Sequence, residues 1–173
     1  MSTGNDFLSL NLCVLTVSDT RKAENDSSGD YLVGALTAAG HRLHERAIVP
    51  DNRYLLRARV SAWIADESVD GIIATGGTGF TGRDSTPEAL LPLLDKEMPG
   101  FGEMFRALSF EEIGTSSMQS RAFAGLANAT FVFALPGSTS ACRTGWEKLI
   151  RAQLDSRTQP CNLANLRPRL RER

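Results

Sequence analysis

Continuous apolar runs alternate along the chain with segments whose apolar residues recur at helical spacing. Leu12-Cys13-Val14-Leu15-Thr16-Val17, Gly71-Ile72-Ile73-Ala74-Thr75 and Thr130-Phe131-Val132-Phe133-Ala134-Leu135 lack polar alternation, the pattern of strands buried on both faces. Residues 43–49 form a weaker, more polar run that ends at Pro50-Asp51. Between these runs, Tyr31, Leu32, Ala35, Leu36 and Ala39 fall on one helical face before Gly40, and Tyr54, Leu55, Ala58, Ala62 and Trp63 mark a second helix. Residues 87–112 read as helical pieces broken by Pro92 and Pro99-Gly100. Phe101, Met104, Phe105, Leu108 and Phe110 there supply core or a subunit contact. Gly114-Thr115-Ser116-Ser117 is expected to cap a further helix through Ala127. A last helix starts at Ser138, Thr139 or Ser140 and runs to about Asp155, with Trp146, Leu149 and Ile150 facing inwards. Four strands separated by amphipathic helices predict an α/β fold with a parallel sheet covered by helices on both faces. The expectation is one domain over residues 10–162, with 1–9 and 163–173 as flexible ends.

Right-handed crossovers put the carboxyl ends of such strands on one edge, where open α/β sheets bind ligands. Each strand end here carries a polar cluster: Ser18-Asp19, Asp51, the loop 76–84, and Gly137-Ser138. The richest is Gly76-Gly77-Thr78-Gly79-Phe80-Thr81-Gly82-Arg83-Asp84, with four glycines within seven residues and a helix start at Ser85 or Thr86 before Pro87. A strand, glycine loop and helix in succession let backbone N–H groups approach a phosphate unobstructed. Arg83 adds a fork of donors, and Asp84 an oxygen ligand suited to Mg²⁺. Gly77-Thr78-Gly79-Phe80-Thr81-Gly82 also matches the dinucleotide fingerprint, but two strands precede it and the helix does not open directly. As a phosphate loop of the Walker type it lacks both the lysine and the hydroxyl metal ligand.

Composition narrows the picture. Apolar residues make up 42% and charged residues 23% of 173, with a net charge of −1, which gives no global reason to expect nucleic acid as a partner. Arg157, Arg167, Arg169, Arg171 and Arg173 against Glu172 read as a solvated basic tail. No run approaches the ~18 apolar residues of a membrane span, and no basic-then-apolar leader opens the chain. Cys13, Cys142 and Cys161 are odd in number and lack a CxxC, so they read as reduced thiols of a cytoplasmic protein, two of them in the core. They form no zinc set with His41 and His44.

Nucleotidyl transfer needs donors around phosphate charge, a divalent ion and a positioned nucleophile. The glycine-loop amides and Arg83 suit the phosphates. Asp51 and Asp84 are the carboxylates best placed for Mg²⁺. Asp51 has a competing reading as the N-cap of the helix near Asn52, whereas Ser85 and Thr86 leave Asp84 free of capping. Gly137-Ser138 reads either as a second anion site or as a plain N-cap. Asp19 and Asn25-Asp26-Ser27-Ser28 read either as pocket lining or as a solvated loop and helix cap.

With Leu15-Thr16-Val17-Ser18-Asp19-Thr20, Asn25-Asp26-Ser27-Ser28-Gly29, the glycine motif through Glu88, Phe101-Gly102-Glu103, Ser120-Arg121-Ala122 and Leu135-Pro136-Gly137-Ser138, residues 11–162 resemble the MoaB/Mog family of molybdenum cofactor biosynthesis, nearest its MoaB branch. The resemblance implies a three-layer α/β/α sandwich with a mostly parallel central sheet, assembled as a homotrimer or a hexamer. It implies binding of molybdopterin and, in catalytically competent members, attack of the molybdopterin phosphate on the α-phosphorus of MgATP, giving adenylylated molybdopterin and pyrophosphate. It implies catalytic roles for Asp51 and Asp84, the same carboxylates read above as best placed for Mg²⁺. Nucleotide or pterin contacts are implied or read at Ser18, Asp19, Gly76, Gly77, Thr78, Gly79, Arg83, Gly137 and Ser138. Mog-type enzymes usually carry Leu and then small residues or Pro where this chain has Phe80-Thr81-Gly82. A non-catalytic pterin-binding or scaffolding paralogue, in contact with other molybdenum cofactor enzymes, is the alternative, and a nucleotide-binding regulator a third.

Overall fold

The computed structural model describes residues 6–172. Its six strands are β1 (Asn11–Val17), β2 (Arg42–Val49), β3 (Gly71–Thr75), β4 (Lys96–Glu97), β5 (Phe123–Ala127) and β6 (Thr130–Leu135), in the order β2-β1-β3-β6-β5-β4. β2, β1, β3 and β6 are mutually parallel, while β5 runs antiparallel between β6 and the short edge strand β4.

Side-chain alternation along β1 builds two cores. Leu12 and Val14 face α1 (Ser27–Ala38), α4 (Pro99–Ile113) and α5 (Thr139–Gly145), whose Leu32, Leu36, Phe101, Phe105 and Cys142, with Trp146 just after α5, complete that layer. Cys13, Leu15 and Val17 face the opposite way, toward Leu56, Val60 and Trp63 of α2 (Arg53–Ala65) and Ala89 and Leu90 of α3 (Thr86–Leu90). Burial on both faces is what makes β1, β3 and β6 unbroken apolar runs. The result is the expected three-layer, mostly parallel architecture. After α5 the helix continues through a π turn, Trp146–Ile150, into α6 (Arg151–Leu154), ending where the sequence suggested.

Three expectations need correction. No helix runs from Gly114 to Ala127: a 3₁₀ segment, Gly114–Gln119, leads into strand β5. Asn128 (φ 46°) and Ala129 (φ 64°) then form a two-residue hairpin turn with both central φ positive, which matches the strand twist and sends the chain back antiparallel as β6. The end after Leu163 is folded onto the domain, although Arg169 and Arg171 stay exposed to solvent. Ala164 is fully buried at the start of the 3₁₀ segment Ala164–Arg169, Arg167 pairs with Asp70, and Arg171 lies 2.9 Å from Glu67. At the other end Leu8 N donates to Ser156 Oγ at 2.9 Å, so residues 6–9 are held as well. Residues 1–5 and 173 lie outside the described residues. Cys13 and Cys142 are buried and Cys161 exposed, all as free thiols. Among the described residues no helix is long and apolar enough to cross a membrane.

Candidate functional site

An open cleft of about 440 Å³ lies at the carboxyl ends of β1, β3 and β6. Residues 16–18, 75–79 and 136–137 line it together with Asp84 and with Ile113, Ser116, Gln119 and Ser120 from the end of α4 and the segment after it. The polar clusters of separate strand ends thus meet on one edge.

Close approach explains the glycines. Gly76 (φ 102°) and Gly77 (φ 66°) adopt left-handed backbone, and a Cβ on Gly76 would collide with Val17 O. The turn is closed from α3: Thr86 N donates to Gly77 O at 3.0 Å and Thr86 Oγ1 to Gly76 O at 2.8 Å. Arg121 fastens the other side. Its Nε donates to Gly79 O at 2.8 Å, its Nη2 to Asp84 O at 3.0 Å and its backbone N to Thr78 O at 3.0 Å, while Nη1 pairs with Glu88. Burial would raise the Glu88 carboxyl, but the Arg121 hydrogen bond, a backbone hydrogen bond and the charges of Arg121 and Arg53 together prevail, and the net shift is downward. With the loop held through its carbonyls, the amides of Gly77, Thr78 and Gly79 donate to no acceptor among the described residues. Three free donors in succession, beginning at the left-handed Gly77, are the backbone arrangement from which anion-binding concavities are made.

Two carboxylates flank these amides. Asp51, at the end of β2, is buried, and its Oδ1 accepts from Ser85 N at 3.1 Å and from the Ser85 hydroxyl. It does not cap α2; Asn52 does, accepting from Tyr54 N at 3.0 Å and Leu55 N at 3.1 Å. Ser85 makes no capping bond to α3 because its hydroxyl is spent on Asp51. Burial pushes the Asp51 carboxyl above its ordinary value of 3.8, the Ser85 bonds work against this, and the charges of Asp84 and Asp19 add to the rise. Asp84 Oδ2 accepts from Thr81 N at 2.8 Å and Thr81 Oγ1 at 2.7 Å, closing the loop tip. Neither Asp51 Oδ2 nor Asp84 Oδ1 accepts a hydrogen bond among the described residues.

The remaining site residues are distributed as follows. Arg83 does not reach into the cleft: Nε and Nη2 fork onto the Asp19 carboxylate at 2.6–2.9 Å, and this pairing lowers Asp19. Asp19 Oδ1 also accepts from Asp51 N at 3.0 Å, which ties the β1 and β2 ends together. Ser18 lines the cleft and accepts from Arg21 N at 3.0 Å. Gly137 packs against Gly76, a Cβ there standing 3.4 Å from the Gly76 α-carbon. Ser138 is exposed and caps α5, accepting from Ala141 N at 3.2 Å.

Asp26 corrects the solvated-loop reading. It caps α1 through Gly29 N at 3.1 Å but is fully buried, accepting from Thr16 Oγ1 and Arg46 Nη2 at 2.7 Å each. Burial alone would raise it; the Arg46, Thr16 and Gly29 bonds prevail and hold it below the ordinary carboxylate range. Sequence reasoning missed Arg21, whose Nη1 donates to Ser28 Oγ at 2.8 Å and Nη2 to Gly137 O at 3.2 Å inside the cleft. It also gave no role to Gln119 and Ser120, or to Arg121, although the Ser120-Arg121 pair stood among the family-like motifs.

Unengaged loop amides and two carboxylates at the carboxyl edge of a mostly parallel sheet place the protein in the α/β class with a candidate site at that edge. The sequence family described as "Probable molybdopterin binding domain" matches residues 13–156, and the chain belongs to it. Molybdenum cofactor biosynthesis protein B of Escherichia coli (strain K12) is 58% identical over 157 residues, covering 91% of this chain and 92% of that protein. The protein of the same description from Bacillus subtilis (strain 168) is 46% identical over 142 residues, covering 82% and 84%. A crystal structure of Molybdenum cofactor biosynthesis protein B superposes with a TM-score of 0.86 at 39% identity, covering 96% of this chain and 98% of that one.

Proposed function

We propose that the cleft adenylylates molybdopterin in molybdenum cofactor biosynthesis. The terminal phosphate of molybdopterin attacks the α-phosphorus of ATP, one P–O bond forms as the bond to the β-phosphate breaks, and pyrophosphate leaves. The family and its relatives support the pathway. The observation that carries the reaction is the pairing of three unengaged loop amides with two carboxylates that each keep a free oxygen.

Amides of Gly77, Thr78 and Gly79 hold the triphosphate. Gly137, with Arg21 and Ser28 beside it, receives the phosphate end of the pterin, and Ser138 continues that wall. The Asp51 and Asp84 oxygens fit Mg²⁺ held through two carboxylates and the substrate phosphates, the usual arrangement for this ion. No cluster of three or more His, Cys, Asp or Glu side chains offers a dedicated protein cage among the described residues. Burial raises Asp51 and the charges of Asp84 and Asp19 add to the rise, so a cation there would offset a cost the fold imposes. Bound Mg²⁺ supplies charge neutralisation at the phosphates. Arg83 acts by anchoring the loop to Asp19. Exposed Phe110, Ile113 and Met118 support a homo-oligomer, trimer or hexamer, through the α4 side. Purified protein given MgATP should release pyrophosphate only when molybdopterin is added; tight pterin binding without pyrophosphate would assign the chain to the scaffolding alternative.

A further inference from the structure

Phe80 occupies the tip of the glycine loop with 77% of its surface exposed, next to Gly79, which lines the cleft. A large aromatic side chain so exposed contributes little to the fold. It is nonetheless held in place. The Arg121 guanidinium stands 5.7 Å from the ring centroid, and that guanidinium is itself fixed by Gly79 O, Asp84 O and Glu88. One face of the ring is therefore backed by an immobilised cation and the other is open.

We propose that the open face of Phe80 is a stacking platform for the purine base of the nucleotide. This rests on the reading of the cleft as a nucleotide site and adds the residue that would hold the base. The loop that offers its amides to the triphosphate carries the ring, so phosphates and base are read by one element. Arg21, Ser28 and Gly137, assigned to the pterin end, lie on the β1 and β6 side instead. Stacking is tolerant of base identity because every base has a π face. Phe80 thus sets affinity for a nucleoside triphosphate without choosing between adenine and guanine.

The test is calorimetric titration of the full chain with MgATP, MgGTP, magnesium tripolyphosphate and a free pterin, for wild type, Phe80→Ala and Phe80→Trp. Phe80→Ala should weaken MgATP and MgGTP about tenfold each, within the range of one base on one aromatic ring. It should leave tripolyphosphate and pterin unchanged, and Phe80→Trp should restore nucleotide affinity. Equal ATP affinity in Phe80→Ala overturns the platform while leaving the adenylyl-transfer reading intact. So does a loss confined to the pterin, or a fall in sedimentation coefficient, which would assign Phe80 to a subunit contact. A wild type that binds tripolyphosphate and ATP equally also overturns it, and one that binds neither overturns both readings.

Discussion

The Asp51 carboxylate lies directly under the α-carbon of Gly77, so that a methyl group on Gly77 would stand 2.6 Å from Asp51 Oδ2. The end of β2 and the loop after β3 are thereby packed with no room for a side chain. Gly77→Ala would also have to hold a positive φ, a strain of about 1–3 kcal/mol. It should lower stability by at least about 2 kcal/mol and abolish MgATP binding, as urea unfolding and calorimetry would report.

Asp51→Asn should separate stability from function. Because the Asp51 carboxyl is raised in the folded protein, its stabilising contribution is complete below the ordinary value of 3.8 and is lost as pH rises through the raised value. At pH 7 the charge is a burden, so the variant should melt at or above the wild-type temperature without Mg²⁺, and the gain should vanish in acid. Mg²⁺ should stabilise the wild type and not the variant.

Asp26 behaves in the opposite sense. Its depressed value means that its contribution is complete above the ordinary 3.8 and is lost as pH falls through the lower, folded value. Asp26→Asn leaves Arg46 without its buried partner and should cost about 3 kcal/mol at neutral pH. The difference from wild type in urea midpoint should shrink as the solution is acidified.

Arg121→Lys should loosen the loop almost as much as Arg121→Ala, since a point charge cannot bridge Gly79 O, Asp84 O and Glu88 together. Both variants should lose about 1–3 kcal/mol, with amide exchange rising across residues 76–84 rather than in β1.

What the sequence disclosed follows from where the constraints were local. β1, β3 and β6 are legible because burial on both faces demands unbroken apolar runs, and the glycine loop because tight backbone leaves its residue type behind. β5 was not legible: Ala124, Gly125 and Ala127 have no strand signature, and it is pairing with β6 and β4 that makes them one. β4 is only Lys96–Glu97, too short to show a period. In the site, the roles of Arg21, Asp26 and Arg121 depend on partners from other elements, such as Arg46 on β2 for Asp26, and spacing along the chain carries no trace of these. Whether Asp51 caps α2 was likewise settled only by geometry, which gives the cap to Asn52.

The most direct measurement of the proposed reaction follows phosphorus labelled at the α-position of ATP into the pterin. Wild-type protein with molybdopterin and Mg²⁺ should move the label to the pterin as pyrophosphate appears. Asp84→Asn should do so at least ~10²-fold more slowly, the loss expected when a transition-state charge partner is removed, with an unchanged circular dichroism spectrum. An undiminished rate in that variant, or label that never leaves ATP in the wild type, would contradict the account.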